Sequence, residues 1–104
     1  MRLAAVLEEV RRAIASFDDN QDAIRYEATA VKLAVWAHAE LVRIHLFEDG
    51  NGRISRLVMN LILVRVGLRP IVVEIPKQEY RECLNHYFRT DEISPLVDLM
   101  LGLW

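Results

Sequence analysis

One stretch of this sequence concentrates side chains able to do chemistry: His45-Leu-Phe-Glu-Asp-Gly-Asn-Gly-Arg-Ile-Ser-Arg56. His45 can take up a proton near neutral pH. Asp49 offers the hard carboxylate oxygen that Mg2+ favours when the ion rides on phosphates. Gly50 and Gly52 let the backbone come close to a ligand, and a helix starting there presents free N–H groups and a dipole to an anion. Arg53 and Arg56 stand three apart, on neighbouring positions of one helical face. Two cations are unfavourable in a first turn, where the dipole favours acids. A polyanionic ligand explains them better than stability does. Phe47 reads as the apolar anchor of the loop.

Two blander readings compete. Asp-Gly and Asn-Gly are ordinary turn dipeptides, and taken alone Asp49–Gly52 need be no more than a turn. The run also resembles the middle of an EF-hand. Setting Gly52 as the sixth loop residue puts Phe47 first and Val58 twelfth. Both positions need a carboxylate, so calcium is excluded.

The elements that must position this loop follow from periodicity. Leu3, Val6, Leu7, Val10, Ile14 and Phe17 recur at helical steps, and Asp18, Asp19 and Asn20 then supply a break. A second, Ala-rich helix is predicted from about Asp22 to Ile44, with Ile24, Ala28, Val31, Val35, His38, Leu41 and Val42 near one face. The loop follows. A third helix is predicted from Arg53 to Val66, stopped by Gly67 and Pro70. Being apolar on three sides, it is expected at the centre of the fold. Ile71–Ile75 reads as an extended connection between prolines. Pro76 opens a helix to about Arg89, and Ser94-Pro95 opens a last one. The fold class is all-α, with five helices and one polar loop ahead of a buried helix.

At 104 residues the chain is read as a single domain, 1–104. Hydrophobic residues make up 53% and charged residues 27%, a balance that excludes disorder. The net charge of −2 excludes a global field for nucleic acid. Leu57–Leu68 is too short to span a membrane and is interrupted by Asn60 and Arg65. Acids come too early for a signal peptide. Cys83, the single cysteine, cannot form an internal disulfide. The expected location is cytoplasmic.

His45, Phe47, Asp49, Gly50, Asn51, Gly52, Arg53 and Arg56 match the signature H-x-F-x-[DE]-G-N-G-R-x-x-R at every specified position. The chain thereby resembles the Fic family, from about Glu27 onward. The resemblance implies a protein adenylyltransferase that moves AMP from ATP-Mg to a Ser, Thr or Tyr hydroxyl of a target protein. It implies His45 as general base and Asp49 as Mg2+ ligand. Gly50, Asn51 and Gly52 would form the anion hole, and Arg53 and Arg56 would hold the β- and γ-phosphates. Relatives with a degenerate loop transfer the terminal phosphate instead. Gly50 and Arg53 argue for AMP transfer. A non-catalytic module that binds nucleotide or a partner is the remaining alternative.

Leu46 stands where the family most often has proline. No hairpin flap for aligning a target peptide fits between Phe17 and Tyr26. No inhibitory [ST]-x-x-x-E-[GN] motif is found, which leaves a separate inhibitory protein open as a partner, along with a second copy of this chain. His38 lies seven residues before His45 and is expected to pack or hydrogen-bond rather than bind metal. His38-Ala-Glu40 echoes a zinc deaminase motif whose P-C-x-x-C partner is missing. Tyr80, Asn85, His86 and Tyr87 fall where the family builds part of its adenosine pocket, but their spacing selects none of them. Tyr80, Trp36 and Trp104 are read as packing residues, and Leu96, Leu99 and Leu103 as a face joining the core.

Overall fold

The computed structural model describes residues 3–16, 23–44, 51–74 and 77–104. It is all-α: α1 (Leu3–Ala15), α2 (Ala23–Ile44), α3 (Asn51–Arg65), α4 (Lys77–Thr90) and α5 (Ser94–Leu103). Each helix lies within a few residues of its predicted bounds. No strand occurs among the described residues, and none of their helices is long and apolar enough to cross a membrane.

The centre belongs to α2, not to α3 as its composition suggested. All four other helices pack on α2. Ala37, His38, Ala39, Glu40 and Leu41 are consecutively buried, which only a helix surrounded on every side allows. The cause is side-chain size. Ala30, Ala34, Ala37 and Ala39 let neighbours approach from several directions, while α3 commits one face, through Ser55, Met59, Ile62 and Leu63. Its outer face leaves Leu57, Leu61 and Val64 exposed at 58%, 58% and 57%.

α3 ends in a Schellman motif. Leu68 N–H donates to Leu63 O at 2.8 Å and Gly67 N–H to Val64 O at 3.0 Å. Gly67 takes φ +85°, where a Cβ would be strained. The chain then runs back extended, and Asn60 holds it. Its amide donates to Ile71 O at 3.0 Å and its oxygen accepts Ile71 N–H at 2.8 Å. That two-ended grip replaces the strand pairing Ile71 lacks and lets it be buried without orphaned backbone.

At the other end, Leu96 and Met100 of α5 enter the core, with Leu99 and Leu103 partly buried beside it. Trp104 Nε1 donates to Arg69 O at 2.9 Å, and Arg69 Nη2 donates to Trp104 O at 2.7 Å. The Arg69 guanidinium lies 4.7 Å from the indole centroid. The final residue thus clasps the connection that leaves α3.

Between α1 and α3 lies an apolar groove of about 350 Å3, lined by Val6, Val10, Ala37, Val58, Leu61 and Ile62.

Candidate active site

The site forms where α3 begins. Asn51 is the first residue of α3, two positions ahead of the predicted start. The backbone of Gly52 is therefore part of the first turn. Ser55, fully buried, donates its hydroxyl to Gly52 O at 2.9 Å and ties that turn to the core. The first turn contains no acid. It carries Arg53, which is exposed, and the turn after it carries Arg56, which is half-buried. Among the described residues neither arginine has a carboxylate partner. Two cations thus crowd the positive end of the α3 dipole without counter-charge from the described residues.

Arg56 does not point freely into solvent. Its Nη1 lies 3.0 Å from where a Cβ on Gly52 would stand, so the guanidinium folds back over the glycine. Its far side faces Tyr80 of α4, with Cζ 6.0 Å from the ring centroid. Tyr80 in turn hydrogen-bonds Nε2 of His38 on α2, and the two rings meet edge-on at 5.6 Å between centroids. Three helices thereby converge on one line: His38, Tyr80, Arg56.

The phenol can donate its proton to Nε2 of His38. This requires a neutral imidazole. Burial, and secondarily the charge of Arg56, bring the His38 pKa down to about 4, which keeps the ring neutral at physiological pH. Burial pushes the Tyr80 hydroxyl up, and Arg56 as hydrogen-bond donor and as charge opposes that shift. Nδ1 of His38 is buried with no partner among the described residues. His38 is thus a hydrogen-bonding residue, as its place in the sequence suggested. Tyr80 is more than packing. Its sequence neighbours gave no sign of this, because the contact depends on how α4 folds back across α2.

Of the sequence-derived site residues, Gly52, Arg53 and Arg56 are brought together at the α3 N-terminus. Asn51 heads the same turn. His45, Asp49 and Gly50 lie outside the described residues. No group of three metal-ligating side chains occurs among the described residues.

The family model for the Fic/DOC family matches residues 2–63, well over half of the chain. The chain belongs to the Fic/DOC family. The Fic/DOC match takes in the whole signature and stops inside α3, so Tyr80 and the rest of α4 lie beyond it. Among curated relatives, the chain is 55% identical over 70 residues to "Protein adenylyltransferase Fic" of Drosophila persimilis, covering 64% of this chain and 13% of that protein. The protein of the same name in Drosophila melanogaster is again 55% identical over 70 residues, covering 64% of this chain and 14% of the relative. That of Aedes aegypti is 54% identical over 44 residues, covering 42% of this chain and 9% of the relative. The chain therefore spans only a small fraction of the length of the curated relatives it matches.

Proposed function

We propose that this Fic/DOC chain is a single catalytic core that transfers AMP from ATP to a hydroxyl of a target protein. The observation that carries the proposal is the complete signature from His45 to Arg56, joined to a helix start whose two arginines have no carboxylate partner among the described residues. The relatives' name, protein adenylyltransferase, points the same way.

In this reading the triphosphate lies across the first turn of α3. The N–H groups of that turn, with Gly50 and Asn51, cradle the α- and β-phosphates, and Gly52 allows close approach. Arg53 and Arg56 draw the β- and γ-phosphates to one side, which turns the α-phosphorus toward the acceptor. His45 takes the proton of the target hydroxyl. The oxygen then attacks the α-phosphorus, the bond to the bridging oxygen breaks, and pyrophosphate leaves with its electron pair. Asp49 would hold Mg2+, with phosphate oxygens and water completing its shell, and the ion would neutralise charge on the phosphates. One carboxylate suits this role, because Mg2+ bound through phosphates takes only one or two from the protein. A reducing, cytoplasmic location suits the single thiol.

The test uses ATP labelled at the α- or the γ-phosphate, with wild type and His45→Ala, in a lysate supplied with Mg2+. Protein label from the α-position alone, lost in the variant, is the expected outcome. Label from the γ-position alone would move the protein to phosphate transfer. No label from either, with ATP still bound, would make it a binding module.

A further inference from the structure

The geometry points to Tyr80, seated against His38, as the residue that positions Arg56 for the triphosphate. This rests on the reading that Arg56 receives phosphate oxygens, and deepens it by naming what holds the guanidinium in place. Three observations carry it. Arg56 lies between Tyr80 and the backbone of Gly52, so it is restrained on both sides. Tyr80 is itself fixed by a hydrogen bond to a histidine with no exposed surface, on the central helix. Arg53, one turn earlier, is exposed and makes no hydrogen bond, ion pair or ring contact among the described residues. The two arginines are thus unlike in preparation: one is held before ligand arrives, the other is left to move.

An arginine side chain carries several rotatable bonds, and fixing them on binding weakens affinity. A guanidinium already ordered above Gly52 avoids that loss. The guanidinium has five N–H donors, and its contact with the Tyr80 ring leaves them for phosphate. His38 reaches the phosphate only through Tyr80. Both are positioning residues.

Two readouts on the full chain decide the matter. The first is side-chain NMR of the Arg56 Nε–H without nucleotide. In wild type it is ordered, and in Tyr80→Phe, which keeps the ring but loses the hydroxyl that fixes it to His38, it becomes mobile while thermal unfolding confirms an intact fold. Equal order in both proteins would overturn the proposal. The second is binding of ATP and AMP to wild type, Tyr80→Phe, Arg56→Ala and the double variant. Tyr80→Phe should weaken ATP about five-fold, or ~1 kcal/mol, and leave AMP unchanged, since AMP lacks the phosphates Arg56 holds. In the Arg56→Ala background the same change should do nothing further. Equal losses for ATP and AMP, or an undiminished effect without Arg56, would make Tyr80 a general packing or nucleoside contact and sink the idea. If wild type binds neither nucleotide, the functional reading fails, while the NMR arm still decides whether Tyr80 orders Arg56.

Discussion

Arg56 Nη1 approaches the space above Gly52 to within 3.0 Å of where a side chain would begin. The glycine is thus paired with a specific guanidinium. Gly52→Ala places a methyl group against the flexible end of Arg56, which can yield. The fold should survive with little change in unfolding temperature, because Ala favours helix over Gly by up to about 1 kcal/mol. Affinity for ATP should fall at least several-fold as the guanidinium is displaced. Calorimetric titration alongside a thermal melt checks both halves. Unchanged ATP affinity would contradict the close approach.

His38 makes stability depend on acidity. Its folded pKa of about 4 lies below the ordinary 6.5, so between these values the unfolded chain binds the extra proton. Stability from the neutral ring is complete above about pH 6.5. It is lost progressively as the pH falls toward 4, and the full effect is roughly 3 kcal/mol. Arg56 sharpens the effect by repelling the protonated ring. Urea unfolding between pH 4 and 7 should show this slope in wild type, and His38→Gln should flatten it.

Glu40 is a buried carboxylate, 3% exposed, that accepts the Tyr87 hydroxyl at 2.5 Å and lies 3.6 Å from Arg43 Nη1. Arg43 is stacked over Tyr87 and Phe88 and also reaches Asp91 at 3.3 Å. Burial and the neighbouring carboxylate push the Tyr87 hydroxyl well above its usual range, so it remains a donor at any working pH. Tyr87→Phe leaves the charge short of a partner and should cost about 1–3 kcal/mol. With Glu40→Gln already present the same change should cost less, because a neutral amide tolerates the loss. Chemical denaturation of the four proteins gives the coupling.

Asn60→Ala removes both hydrogen bonds to Ile71 and leaves a buried N–H and C=O without partners. The expected loss is about 2–4 kcal/mol, with hydrogen exchange at Ile71 accelerated beyond that of α3 as a whole. Asn60→Asp keeps the acceptor and loses the donor, and should fall between the two.

The sequence made the helices legible because their apolar spacing and breaks are local: Gly67, Pro70 and Ser94-Pro95 act within a turn of themselves. The family was legible for a different reason, a dense set of residues from His45 to Arg56 that stability alone would not assemble. Helix rank was not legible. α3 is richer in large apolar residues, yet α2 takes the centre, because burial on all sides depends on small residues and on what surrounds them. The His38–Tyr80–Arg56 line was hidden for a similar reason. Its members are 42 and 24 positions apart at the two steps, and no local pattern announces a contact between three helices. Asn60 was read as an interruption of an apolar run, when it is the grip on the returning chain.

The groove beside α1 has a consequence for the order in which the molecule comes apart. Among the described residues the backbone of α1 approaches α2 alone, and only Val6 and Val10 of α1 are buried. α3 and α5 each grip the connection that leaves α3, through Asn60 and the Trp104 clasp, and α4 is tied to α2 by the Glu40–Tyr87 pair. α1 can therefore detach while the rest stays closed, as the lowest-energy opening unit of the domain. Such an opening would bare the Ala37 side of the central helix and the Val58–Ile62 stretch of α3. The first helix is, in this architecture, the element whose loss costs the core least.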